Sequence, residues 1–323
     1  MLYPLKFKNI YKEKIWGGSK LKSVLNKKDI FYDNIGESWE ISGLENNVSE
    51  ISNGFLKGKS LIEIIDSYKE KIIGGKVFAE FGNNFPLLIK FIDANDDLSV
   101  QVHPNDLIAK KLHNANGKTE LWYIIDVDND SNLISGLNKS VKKEVFSEAI
   151  SENKVTELLN FVPVSKGDSF FIPAGKIHAI CKGILLAEIQ QTSDITYRIY
   201  DWNRPDSDGK MRELHIENSL LVADLEYKSD SLISQKKIDS NRSEIKKCNF
   251  FTVNILKTDA EINIDYSNID SFIIYMCVEG EFIIKNDNFE INVIKGETIL
   301  IPAEIKNFGI FPIKNSEILE IYI

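Results

Sequence analysis

A mainly β protein with helical decoration is what the sequence predicts, and three observations carry that expectation. Gly and Pro punctuation separates short β-branched runs, which read as strands from Pro86 to Asp93, Leu98 to His103, Glu120 to Val127, Ser169 to Pro173 and Ile184 to Gln190. In Ser60 to Ile73 and Val141 to Leu159, apolar residues instead recur every three or four positions among charges, which is helical spacing. From Glu226 to Lys247 the chain turns polar, with Ser, Asp and Lys dominating, before a further strand-rich region starts at Phe250. Together these predict a β-barrel or sandwich carrying helices over residues 1–240, followed by a second β domain over 241–323.

With 323 residues, 43% of them hydrophobic, the chain can bury one large core or two smaller ones. Its 39 basic and 48 acidic residues give a net charge of -9, and no basic run is long enough to track a phosphate backbone, which argues against nucleic acid. An anionic ligand would need a few locally placed Lys and Arg residues working against the overall field. The opening segment is interrupted by Lys6, Lys8, Lys12 and Lys14, so it lacks the unbroken apolar stretch of a secretion signal, and no later segment approaches a membrane span. Cys181, Cys248 and Cys277 are odd in number and widely spaced, as expected of reduced thiols in a cytoplasmic protein.

The two domains share an echo. Gly167 is followed six residues later by Pro173, and Gly296 at the same spacing by Pro302. Aligning the prolines puts Asn307 where the first copy has His178, and Glu304 where it has Gly175, so metal chemistry is expected in the first copy alone.

Strict alternation in Leu98 to His103 sends Leu98, Val100 and Val102 to one face and Ser99, Gln101 and His103 to the other. A polar strip on a strand that otherwise reads as buried needs a partner, and a metal ion suits Gln, His and a carboxylate together. A single strand His more often just finds a hydrogen bond, so the case depends on further ligands. Glu120 heads an apolar strand, where an acid reads either as a carboxylate aimed into a pocket or as an exposed strand end. His178 closes the segment Gly167-Asp168-Ser169-Phe170-Phe171-Ile172-Pro173-Ala174-Gly175-Lys176-Ile177-His178.

That segment, Gly, five residues, Pro, one residue, Gly, two residues, His, resembles the second motif of the cupin barrels. The resemblance implies a jelly-roll β-barrel in each domain, the C-terminal one degenerate and without metal. It also implies that His178 is a metal ligand, with Gln101, His103 and Glu120 in the places of the other ligands. Gln101 stands where many cupins have His, and a neutral oxygen ligand argues against redox iron or manganese chemistry. More narrowly, LSVQVHPND, GKTELWYI, IPAGKIHAI and EIQQTSDITYR occur in this order, with WGG and GESWEIS upstream. They resemble type I mannose-6-phosphate isomerase in its short bacterial form.

The resemblance implies metal-dependent interconversion of mannose 6-phosphate and fructose 6-phosphate by proton transfer through a cis-enediol, with one divalent ion per chain, most simply zinc. It marks Arg198 as the group that stabilises the enediolate and Glu188 as the proton-transfer candidate. Lys118 becomes a further active-site contact, and Ser99 and Lys90 anion contacts. Asp194, Asp201 and Arg204 either orient Arg198 or form a solvated cluster, while His113 and His215 have no pattern linking them to the metal and read as structural. Two rivals keep the metal: an oxygenase on the same fold, and a sugar-binding regulator without turnover. The cations Lys118 and Arg198 suit an anion better than dioxygen, and a binder would not need Glu188 together with Arg198.

Overall fold

The computed structural model describes residues 1–206, 208–229 and 232–323. Among them the strands form three sheets, of nine, five and six strands. Two sheets build the site. The six-stranded one runs Ile10–Gly18, Ile35–Ile41, Leu87–Ala94, Ile184–Gln191, Glu120–Val127, Ser169–Ile172. The five-stranded one runs Tyr197–Tyr200, Val100–Val102, His178–Ile180, Asn132–Leu137, Leu159–Pro163, and the pairings that position the site are antiparallel in both.

Because successive side chains on a strand point to opposite faces, the six-stranded sheet does two jobs. Leu121, Tyr123 and Ile125 share one core with Leu185, Ala187 and Ile189 and with Val253, Ile274 and Leu319 of the nine-stranded sheet. Trp122, Ile124 and Leu186 turn the other way, into a second cluster that includes Ile180 of the five-stranded sheet. Burial on both faces explains the almost unbroken apolar runs in these strands. The outer face of the five-stranded sheet, Val100, Val102 and Ala179, is covered by Phe146 of the helix Lys143–Ser151 and Leu220 of the helix Ile216–Val222.

The expected mainly β architecture with helices is what is found, with local differences. The strand expected from Leu98 starts at Val100; Leu98 lies ahead of it, donates its N–H to Ile180 O at 2.9 Å, and packs in the Trp122 cluster rather than with Val100. The helix expected over Ser60 to Ile73 starts with Ser60 and Glu63 forming a reciprocal capping box, then breaks at Lys69, whose φ is 51°, into Leu61–Tyr68 and Glu70–Ile73. The helix expected over Val141 to Leu159 ends at Ser151; a 3-10 turn, Val155–Leu158, follows, and Leu159 already belongs to a strand. The expected domain boundary at 240/241 falls in the turn between Lys236–Lys237 and Arg242–Lys247, paired strands of the nine-stranded sheet. Leu5–Lys6, at the other end of the chain, joins the same sheet. No helix among the described residues is long and apolar enough to cross a membrane.

Residues 71–76 fasten the two halves together. Backbone N–H groups of Glu304, Ala303 and Phe272 donate to the carbonyls of Lys71, Ile72 and Ile73, and the Asp270 carboxylate accepts from Gly75 and Lys76 N–H at 2.8 and 3.0 Å. Gly74 sits among these bonds at φ 90°, and a Cβ there would stand 2.5 Å from Asp270 O. Gly74→Ala should therefore cost roughly 1–3 kcal/mol, seen as a drop of several degrees in the unfolding midpoint. An unchanged midpoint in calorimetry would refute this account of the junction.

Candidate active site

His103 follows the strand Val100–Val102, His178 opens the strand beside it, and Glu120 heads its strand in the opposite sheet; their ligating atoms lie within 4.8 Å of one another. All three are buried. His103 Nδ1 lies 2.9 Å from Ile195 O and His178 Nδ1 2.7 Å from Lys176 O. A carbonyl only accepts, so both Nδ1 atoms carry the proton and both Nε2 atoms present lone pairs. Those two Nε2 atoms are 3.1 Å apart. Facing lone pairs repel unless a cation or a proton lies between them, and protonation is opposed: burial, with Lys118 adding to it, pushes His103 down to about 3, and burial pushes His178 down to about 4.

The carboxylate tells the same story. Among the described residues the Glu120 oxygens make no hydrogen bond of good geometry; Lys118 Nζ makes ion-pair contact with Oε1 at 2.6 Å and His103 Nε2 is 3.3 Å away. Burial alone would raise this carboxyl, but Lys118 and the two imidazoles hold it well below the ordinary value. Gln101 pairs with His178 across the sheet and, two positions from His103, shares its face. Two neutral imidazoles, a carboxylate and an amide oxygen form a donor set that fits a divalent cation.

Above these groups opens a cavity of about 530 Å³, whose wall brings together Ser99, Gln101, Lys118, Glu120, Glu188 and Arg198, with Lys90 beside them. Glu188 is buried and doubly held, Oε1 accepting from Trp122 Nε1 at 2.9 Å and Oε2 from Lys90 Nζ at 2.9 Å. Burial opposes the Lys90 charge, yet Glu188 and Glu37 outweigh it and raise its pKa. Burial likewise opposes ionisation of Glu37, but Lys90 and Lys14 bring it down to about 2. Arg198 Nη1 donates to Glu213 O at 2.8 Å, while its buried Nε has no partner among the described residues.

Other residues resolve differently from the sequence reading. Asp201 neither orients Arg198 nor lies in solvent. It is buried, and it grips Arg212 through two hydrogen bonds of 2.6 and 2.5 Å, with Arg204 at 3.4 Å. Asp194 lines the cavity, as does Arg212, which no motif had singled out because the 201–212 loop lacks periodicity. His113 Nε2 meets the Tyr197 hydroxyl at 2.7 Å and is not among the residues of the His103, Glu120 and His178 cluster.

Strand registers show how the two halves differ at the positions of Glu120 and His178. Trp122 pairs with Glu188 and with Phe170, three residues after Gly167, and Glu188 pairs with Lys90. In the other half Tyr275 pairs with Glu320 and with Ile299, three residues after Gly296, and Glu320 pairs with Asn254. Glu320 is thus the counterpart of Glu188. By the same registers Ile273 occupies the place of Glu120, and Asn307 the place of His178. Glu320 is fully engaged, by Arg242 at 2.9 and 3.0 Å, by Asn254 at 2.6 Å and by the Tyr266 hydroxyl. The second half keeps a buried carboxylate but has an isoleucine and an exposed asparagine at two ligand positions.

Over residues 4–126 the chain matches the family described as phosphomannose isomerase type I, catalytic domain, and over 241–311 the mannose-6-phosphate isomerase cupin domain. It is 36% identical over 309 residues to the mannose-6-phosphate isomerase ManA of Bacillus subtilis (strain 168), across 94% of this chain and 95% of that one. It is 33% identical over 313 residues to the mannose-6-phosphate isomerase of Streptococcus mutans, across 95% of each. The crystal structure of the Bacillus subtilis mannose 6-phosphate isomerase superposes with a TM-score of 0.90 at 31% identity, covering all of both chains.

Two outcomes follow from the ligand geometry. His178→Ala should abolish tight binding of a divalent ion in titration calorimetry, whereas Asn307→Ala should bind as the parent does; equal losses would overturn the one-site account. The imidazoles also set a pH dependence. Their folded values, about 3 and about 4, lie below the roughly 6.5 of an unfolded chain, so the unfolded state takes up protons first. Their contribution is fully present above about 6.5 and is lost as pH falls through that window. In chelator-treated protein the unfolding midpoint should therefore drop between pH 6.5 and 4, and less steeply in His178→Gln; identical slopes would contradict it.

Proposed function

The chain belongs to the type I phosphomannose isomerases and is a mannose-6-phosphate isomerase, and we propose that it works by proton transfer between C1 and C2 through a cis-enediol, with one divalent ion, zinc, held by Gln101, His103, Glu120 and His178. The observation that carries this reading is the pair of facing imidazole lone pairs beside a buried carboxylate, set under a cavity rich in Lys and Arg. When bound, such an ion supplies Lewis-acid polarisation of the sugar carbonyl and hydroxyl oxygens.

The remaining work falls to the chain's own side chains. Arg198 is permanently charged and lines the cavity, so its guanidinium has positive charge to offer the oxygen on which negative charge develops. Glu188 carries the proton between the carbons. Trp122 and Lys90 each use one lone pair of its carboxylate and fix its plane, and a second lone pair on each oxygen stays open. Lys118, in contact with both Glu120 and His103, orients the reacting oxygens. Ser99 and Lys90 meet the phosphate, Lys90 sharing its charge with Glu188. This chemistry is assigned to residues 1–240, with none in 241–323. The substrate is a small sugar phosphate, and the free thiols of Cys181, Cys248 and Cys277 suit a reducing compartment such as the cytoplasm.

A coupled assay for fructose 6-phosphate formed from mannose 6-phosphate tests the reading directly, and absence of product with the metal-loaded protein would end it. About one divalent ion per chain is expected by elemental analysis, and turnover should be the same with and without dioxygen. Oxygen uptake coupled to turnover would favour an oxygenase instead. Arg198→Ala should lower kcat by roughly a hundredfold or more with metal content intact and a smaller change in KM, Arg198→Lys recovering only part. A rise in KM with kcat unchanged would make Arg198 a substrate anchor rather than a stabiliser of the enediolate.

A further inference from the structure

Arg198 sits on Tyr197–Tyr200, the terminal strand of the five-stranded sheet, so one edge of its backbone has no neighbouring strand. Unpaired edge groups are a source of slippage and fraying. Here a single residue takes up both. The Arg198 N–H donates to His215 Nδ1 at 3.1 Å, and the His215 N–H donates to Arg198 O at 2.8 Å. Two residues earlier, Glu213 O accepts from the guanidinium Nη1 at 2.8 Å. The segment Glu213–His215 thus grips Arg198 at three points, two on the backbone and one on the charged head.

His215 is itself anchored. Its carbonyl accepts from Ser219 N–H at 2.8 Å and so opens the helix Ile216–Val222, in which Ser219 is fully buried and Leu220 and Val222 pack beneath the five-stranded sheet. The Nδ1 contact requires an acceptor there, which places the imidazole proton on Nε2. A leucine could keep the main-chain bond but not the side-chain one; an asparagine carbonyl could stand in for Nδ1.

We propose that His215 is a positioning residue for the isomerisation, holding Arg198 on the strand edge so that its guanidinium faces the reacting oxygens. The inference rests on the proposed role of Arg198. Displacement of a charged group by about 1 Å can cost on the order of a hundredfold in rate, so a loss of ten- to a hundredfold in kcat is expected when the bracket is opened.

The test is a double-mutant cycle in the metal-loaded enzyme. His215→Leu and the milder His215→Ala should each lower kcat with little change in KM and with metal content unchanged, and His215→Asn should restore most of the loss. In the Arg198→Ala background His215→Ala should cost nothing further, because the residue it positions is gone. Wild-type kcat in His215→Ala and His215→Leu would overturn the proposal, as would an equal loss in both backgrounds, which would make the effect a general structural one. A parent enzyme without isomerase activity would instead remove the functional reading, and the proposal with it; a parent that turns over alongside a fully active His215→Ala removes the proposal alone.

Discussion

Two imidazole lone pairs and an ionised carboxylate meet among buried side chains, and most of the surrounding structure answers to that constraint. Such a group of like-signed electron density is costly in a low dielectric unless positive charge is supplied. The backbone fixes the problem in place, since the carbonyls of Ile195 and Lys176 set both tautomers. Lys118 then contributes an ammonium that contacts one carboxylate oxygen at 2.6 Å and one imidazole at 3.3 Å. The protein side of the site thus offers a donor set that could hold a cation.

Much of the charge in the rest of the cavity is arranged in couples. Lys14 lies 3.1 Å from Glu37, Lys90 2.9 Å from Glu188, and Arg212 is doubly bound to Asp201. Arg198 and Lys12 form no ion pair among the described residues, Arg198 being tied to a neutral carbonyl and Lys12 lying over the Trp39 ring. Pairing keeps the cavity from repelling itself while leaving cations without a bound counter-ion, where an incoming anion or a developing oxyanion gains most. A chain of net charge -9 can thus attract a phosphorylated sugar locally.

Much of this was legible in the residues because alternation is a direct record of which face is buried. Gln101 and His103 two apart, Glu188 among apolar neighbours, and Lys90 on the face of Leu88 and Ile92 all announce a polar side to a buried sheet. The Gly167 to His178 spacing was legible because a turn, a short strand and a ligand at a fixed offset are a local pattern. What local pattern cannot show is which distant residue completes a contact. Asp201 with Arg212 and His215 with Arg198 lie in or beside an aperiodic loop, and their meaning comes from tertiary pairing alone. The break at Lys69 was hidden for another reason, since its flanking residues keep helical spacing on both sides and docking onto Asp270 to Glu304 decides the chain's path.

Residue parity on the six-stranded sheet has a consequence for the unit that carries no ligands. Along the middle of Leu87–Ala94, Glu120–Val127 and Ile184–Gln191, even-numbered side chains such as Lys90, Trp122 and Glu188 line the cavity and odd-numbered ones such as Phe91, Tyr123 and Leu185 share a core with the carboxy-terminal sheet. The carboxy-terminal sheet is therefore the back wall of the sheet that carries the cavity. Without it a broad sheet face of leucine, isoleucine and phenylalanine would be bared, an adhesive surface that no small compensating change could mask. Whatever else it does, the carboxy-terminal unit serves the cavity as cladding.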